Sequence, residues 1–374
     1  MTNPPPPGNW GPPQPPYGQG QPPHGSGPWP PQQGWGPPPQ GPKNNSLKWL
    51  LIGVAVLLVI AISVGATLLF TRDGGDGTTQ TANGNPPAAG EIASANDTGP
   101  VSIITEDPTC ISARPIFDTL TAEQRRGWTD RDYKIPSTSW TAEQRDIYRK
   151  AGDAMLRAAD GLAPLARATP HRVMRELYTQ AIAYWRAYVQ TFNNYEEIDN
   201  HLVLTASNAA SALITLCTTI DYNVGAARAP LVDVVEEPSS QPPSVDPGKH
   251  DALFISASGN ALCRDWIDAT EEFDRQSKDW RNSDLSVPAS QWTDAQSALV
   301  AGVSPLISSH ADRVEAMGRD SENPILEDIA TLSAQYWRAV VEAFSSYSSA
   351  DSYLSATASH ADYMIFNACK AVGS

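Results

Sequence analysis

The sequence predicts an all-α protein with a disordered Pro-rich tail, one transmembrane helix, and two tandem homologous helical bundles of about four helices each. Three observations carry this reading. Residues 49–70 read WLLIGVAVLLVIAISVGATLLF, with no charge and no proline. The phrase YWRA stands at residues 184–187 and again at 336–339, 152 positions on. In both copies apolar residues recur at helical spacing, and the alternation of β-branched residues that marks strands is missing. The divisions expected are a cytoplasmic tail over 1–48, the membrane helix over 49–71, a flexible linker over 72–107, a first repeat over 108–220, a second linker over 221–256 and a second repeat over 257–374.

The tail is nearly all Pro, Gly, Gln and scattered aromatics, and 17 of the 33 prolines fall within its first 42 residues. Proline lacks the backbone donor that helix and sheet require, and there is too little apolar side chain here to bury. Disorder with local polyproline II is expected. PxxP-like runs such as PPQPPY could dock in the aromatic-lined groove of a cytoplasmic Pro-motif-binding domain. The plainer reading is a solvated spacer, and composition leaves both open.

As a helix rising about 1.5 Å per residue, residues 49–70 span roughly 33 Å, enough for a hydrocarbon core of about 30 Å. A cleaved signal peptide has a shorter apolar region lying nearer the N-terminus. Lys43 and Lys48 precede the span; Arg72, Asp73 and Asp76 follow it. The positive-inside rule therefore puts the N-terminus in the cytoplasm and the rest outside the plasma membrane. All four cysteines lie after the span, where an extracytoplasmic compartment permits disulfides.

A Pro/Gly/Gln/Trp-rich tail followed by one span and an Ala-rich acidic exterior resembles the proline-rich single-pass membrane proteins of mycobacteria and related actinobacteria. The resemblance covers residues 1–72 and implies a cell-envelope location. On its residues alone, the duplicated exterior is assigned to no family.

Sliding the second copy back by 152 positions aligns Trp280 with Trp128, Pro288 with Pro136, Trp292 with Trp140, Phe344 with Phe192, Tyr347 with Tyr195 and Cys369 with Cys217. A one-residue gap upstream aligns Cys263 with Cys110. Chance does not place so many Trp and Cys in one register, so an internal duplication is expected. WTAEQ and WTDAQ each read as a capping box at a helix start. The third helix carries Ile182, Trp185, Val189 and Phe192 at spacings of three, four and three, mirrored by Ala334, Trp337, Val341 and Phe344. That is a core-facing stripe.

Four cysteines allow three pairings. Cys110–Cys217 with Cys263–Cys369 would tie the start of each copy to the end of its last helix. Cys110–Cys369 with Cys217–Cys263 also respects the repeat. A metal site is not expected, since no CxxC or Cys/His cluster accompanies them.

The net charge is −15, and the tail contributes only Lys43 and Lys48, so the acidity lies in the exterior. Such a surface disfavours nucleic acid, whose phosphates are held by Lys and Arg. There is no HExxH, GxSxG or P-loop, and no cofactor is expected. Arg186, Arg338, Asp199 and Asp351 repeat in both copies. They read either as Arg–Asp contacts between adjacent helices with Asp as a cap, or as one polar pocket per copy. The function expected is a non-enzymatic envelope interaction or scaffold protein, with protein partners the sequence does not identify and the lipid bilayer as its anchor. The alternative is an extracytoplasmic ligand-binding or sensor module.

Overall fold

Reciprocal caps start the longest helix of each half. Thr141 Oγ1 accepts the Gln144 backbone N–H at 3.1 Å, and Gln144 Oε1 accepts the Thr141 N–H at 2.8 Å. Thr293 and Gln296 repeat the exchange at 3.2 and 3.0 Å. Each box satisfies two donors that a helix N-terminus would otherwise leave unpaired.

The computed structural model describes residues 92–238, 240–243, 253–256 and 261–374. The expected tail and membrane helix lie outside these residues, as do residues 239, 244–252 and 257–260. The described chain is helical, with no strand. In the first half the helices are α1 (Cys110–Gln124), α2 (Ala142–Ala168), α3 (Arg172–Thr191) and α4 (Asn200–Asp221), with a short α5 (Val224–Arg228) following. In the second they are α6 (Cys263–Gln276), the short α7 (Lys278–Arg281), α8 (Asp294–Asp320), α9 (Pro324–Ala343) and α10 (Ser352–Ala371).

The second half retraces the first in its hydrogen bonds. Trp140 Nε1 donates to the Ile135 carbonyl at 2.8 Å, and Trp292 Nε1 to the Val287 carbonyl at 2.9 Å. The Ser137 N–H donates to the Tyr195 carbonyl at 2.9 Å, and the Ala289 N–H to the Tyr347 carbonyl at 2.9 Å. Each tyrosine hydroxyl then reaches back over the same turn, Tyr195 to the Tyr133 carbonyl and Tyr347 to the Leu285 carbonyl. Cys110–Cys217 and Cys263–Cys369 are the disulfides, with Cα atoms 5.4 and 5.2 Å apart. The swapped pairing does not occur.

All described residues belong to one compact unit. The two halves meet along α4 and α10, the most extensive helix pair in it. Both helices are rich in buried alanines, Ala206, Ala209, Ala210 and Ala212 on α4 and Ala358, Ala361 and Ala368 on α10, and Thr357 Oγ1 meets Thr215 Oγ1 across the seam at 3.0 Å. The pair runs antiparallel. His201 Nδ1 faces Asn367 Oδ1 at 2.9 Å, and His360 Nδ1 faces Asn208 Oδ1 at 3.1 Å. Asn208 and His360 stand 152 positions apart, so equivalent residues touch each other and a pseudo-twofold axis passes between them. The stretch Glu197–Asp221 is long and apolar enough to cross a bilayer by length and composition. Its apolarity is accounted for by burial against α3 and α10 and by the disulfide at Cys217.

Two segments read as linkers carry core residues. Val101, Ile103 and Ile104 are buried, and the Ile104 N–H meets the Tyr336 hydroxyl of the second half at 3.4 Å. Beyond α4, Gly225 sits where a Cβ would lie 2.8 Å from the Ile104 carbonyl oxygen, so only glycine lets the two segments close on each other. The stripes on α3 and α9 also prove wider than expected. Every residue from 172 to 185 on α3 and from 326 to 337 on α9 is buried, because each helix is covered by its own half, by the opposite half and by the flanking segments.

Each disulfide closes a loop of more than 100 residues, separations of 107 and 106. Replacing both cysteines of either pair with serine is expected to lower stability by about 4–5 kcal/mol. Urea denaturation of the detergent-solubilised chain measures this, and non-reducing peptide mapping should return the two pairs within, not between, the halves.

Candidate functional site

The four repeating polar residues separate in the structure. Arg186, beside the core Trp185, lies with Nη2 3.4 Å from Asp160 Oδ1 on α2. Arg338 makes the equivalent contact with Asp312 on α8 at 2.7 Å and adds Glu315 at 2.5 Å. The arginines therefore meet the preceding helix and not Asp199 or Asp351. Those two are caps: Asp199 Oδ2 accepts the Glu196 N–H at 2.9 Å, and Asp351 Oδ2 accepts the Ser348 N–H at 2.7 Å. Asp351 also holds Arg228 of α5 in a two-pronged pair at 2.8 and 3.1 Å, which docks the chain leaving the first half onto the second. Around Arg338 an open groove of about 460 Å³ lies between α8, α9 and residues 231–236. In the first half, Ala163 stands at the position of Glu315.

A buried ionic cluster joins the starts of α3 and α9. Arg172 donates to both oxygens of Asp328, from Nε at 2.7 Å and from Nη2 at 2.9 Å. Its remaining donors go to the Asp97 and Gly99 carbonyls at 2.5 and 3.2 Å. Three residues on, Arg175 pairs with Glu176 at 2.9 Å and with Ser94 Oγ at 3.0 Å. Burial pushes the Glu176 carboxyl up from its ordinary 4.5 to about 7, outweighing the neighbouring Arg175. Burial likewise raises Asp328, against Arg172. Sequence reading missed this cluster because Arg172 and Asp328 lie 156 positions apart, in different copies. One signal was available: Glu176 and Asp328 are acidic at matching repeat positions.

The interiors of the two halves differ. In the second, Asp362 accepts Trp337 Nε1 at 2.8 Å and Ser333 Oγ at 2.6 Å, and its Oδ2 lies 2.9 Å from His310 Nε2. His310 also stacks on Phe273 with ring centres 4.0 Å apart. The matching first-half positions are Ala210, Ala181 and Ala158, and there Trp185 Nε1 is buried with no hydrogen-bond partner. Among the described residues Trp128 Nε1, Arg131 Nε, Tyr148 Oη and Tyr188 Oη share that condition, and Trp128 packs edge-on against Tyr188. Arg131 stacks on Trp128, its guanidinium carbon 3.6 Å from the ring centre, and donates to Asn200 Oδ1 at 2.6 Å.

In the second half the interior polar groups hydrogen-bond to one another. Ser333, Asp362 and His310 resemble a nucleophilic triad in composition only, since the hydroxyl donates to the carboxylate and not to the imidazole, and all three are buried. Among the described residues, no group of His, Cys, Asp or Glu is placed to hold a metal ion.

A family model described as mycobacterial ESX-1 associated protein matches residues 92–373, which is the described region almost end to end. The chain belongs to that family, which assigns residues 92–373 where their sequence alone gave no assignment. It is also similar to an uncharacterized protein of Mycolicibacterium smegmatis strain MKD8, 39% identical over 327 residues, covering 87% of this chain and 86% of the relative. No solved structure matches the chain.

Two predictions follow from the buried charges. Asp328→Ala strands Arg172 and should cost about 3–5 kcal/mol, while Arg172→Met with Asp328→Leu should cost much less, as urea midpoints will show. The pH dependence has two opposing parts. The raised Glu176 favours the fold when protonated, so its contribution is full below about pH 4.5 and is lost as pH rises through about 7. Burial lowers His360 from 6.5 to about 4, so its contribution is full above about pH 6.5 and is lost as pH falls towards 4. Burial lowers His201 in the same direction. Between about pH 4.5 and 6.5 the two trends cancel in part. Glu176→Gln should therefore steepen the loss of stability on acidification through this window, and His360→Asn should reduce it. Parallel profiles for all three proteins would refute the assignment.

Proposed function

We propose that this member of the mycobacterial ESX-1 associated family is a membrane-anchored, non-enzymatic scaffold of the cell envelope. In this reading residues 49–70 cross the plasma membrane, the Pro-rich tail lies in the cytoplasm, and the paired helical halves stand outside. The single observation that carries it is the family match over residues 92–373, whose description ties the exterior to a secretion system. Both disulfides fit an oxidising compartment. In the second half the interior polar groups Asp362, His310, Ser333 and Trp337 are occupied with one another, which suits a rigid platform more than a catalytic centre. The partners proposed are components of that secretion apparatus on the outside and a Pro-motif-binding protein on the inside.

Crosslinking and partner capture in mycobacterial cells tests this, comparing the full chain with one lacking residues 3–42. Secretion-system components should be captured by both forms. Cytoplasmic partners should be lost with the tail. Capture of no secretion component by either form would overturn the scaffold reading.

A further inference from the structure

The first half fills its aromatic box with a cation of its own. The Arg131 guanidinium lies 3.6 Å from the centre of the Trp128 ring and 5.7 Å from that of Tyr148, an arrangement in which the negative ring faces attract the charge. Trp140 and Tyr195 complete the box, and Trp140 stacks on Tyr148 at 3.9 Å.

At the matching positions the second half keeps three of the four rings and loses the filling. Trp280, Trp292 and Tyr347 replace Trp128, Trp140 and Tyr195 in kind, but Arg131 becomes Ser283 and Tyr148 becomes Val300. The Ser283 hydroxyl folds back onto the Trp280 carbonyl at 2.7 Å. The space left is a cavity lined by Trp280, Trp292, Phe344 and Tyr347, with Ser283 and Val300 also on its wall and about 20 Å³ through which the centre of a water-sized group can move. A cavity of this kind admits a small planar group but no large ligand.

The wall chemistry selects the occupant. The polar atoms of Trp292 and Tyr347 are spent on the Val287 and Leu285 carbonyls, so these residues offer their ring faces. Asp284 also lines the cavity and is exposed, and the bonds from the Ser286 N–H and hydroxyl both fall on its Oδ1. Trp292 is partly exposed where Trp140 is buried, which opens the box to solvent. Ring faces with a carboxylate at the rim favour a cation over a neutral or anionic group.

We propose that the second-half box, closed by Trp280, Trp292, Phe344 and Tyr347 with Asp284 at its rim, binds a guanidinium group presented from outside the chain, in the place that Arg131 occupies in the first half. The group arrives either on a free guanidinium compound or on an arginine side chain of a polypeptide. This inference stands apart from the scaffold reading, because a failed partner capture leaves the binding measurement below unaffected.

The test uses the full chain in detergent micelles, labelled with 5-fluorotryptophan and followed by fluorine NMR, with the Trp292 signal assigned through Trp292→Phe. N-acetyl-L-arginine amide should move the Trp292 signal saturably. The neutral citrulline counterpart should bind at least about tenfold more weakly. Ser283→Arg, which supplies the second half with the first half's cation, should abolish the titration and leave the thermal unfolding profile cooperative. Should that variant fail to fold, Asp284→Asn in its exposed turn carries the comparison and should weaken binding. A five-residue peptide with a central arginine, binding more tightly than the amide, would identify a polypeptide source; equal binding would identify a free compound. A Trp292 signal that does not move with arginine amide, or moves equally with citrulline amide, overturns the proposal. So does wild-type binding by folded Ser283→Arg or by Asp284→Asn.

Discussion

The contact between α4 and α10 is the constraint from which the remaining architecture follows. Polar side chains meet across it and satisfy one another, His201 with Asn367, Asn208 with His360 and Thr215 with Thr357. With the pair antiparallel about a pseudo-twofold axis, α3 and α9 are each pressed between their own half and the opposite one. That placement explains why they are buried on every side at their N-terminal ends. It also explains why charged residues there must be paired: Arg172 and Asp328 have no route to water, and each satisfies the other.

How much of this was legible in the sequence depended on whether the signal was local or repeated. The capping boxes at Thr141 and Thr293 are set by four consecutive residues and were readable directly. The YWRA helices were readable because the phrase appears twice in one register; the same register left two cysteine pairings open, and the structure decides for the pairs within each half. The contacts of Arg186 and Arg338 were not, because sequence order names the neighbouring helices without saying which one a side chain faces. On a helix with 3.6 residues per turn, Trp185 towards the core turns Arg186 by about 100°, and here that direction is towards α2. The Arg172–Asp328 pair was hidden for a different reason. It crosses between the copies, and no pattern within either copy encodes their packing. Composition misled at residues 101–104 and 224–231, where polar surroundings disguised short apolar anchors such as Ile103, Ile104 and Val224.

The halves agree where backbone geometry is fixed and differ in what fills the interior. Trp, Tyr and Cys at the turns and termini are retained. The interior polar groups are not: a His310–Asp362–Ser333 network in the second half stands against three alanines in the first. An aromatic box holding Arg131 in the first stands against a cavity in the second. The two halves thus share their turn hydrogen bonds and disulfides and carry different internal chemistry.

The disulfides also determine how the molecule bears load. Under tension applied at the two ends of the chain, force entering at Cys110 crosses directly to Cys217 at the end of α4, and force at Cys263 crosses to Cys369 at the end of α10. The intervening helices lie off this path. Each sulfur bridge withholds roughly 350 Å of contour length from extension, so the oxidised molecule behaves as a short tether with two locked spools. Chemical reduction would let both spools pay out, converting a stiff link into a compliant one without cutting the polypeptide.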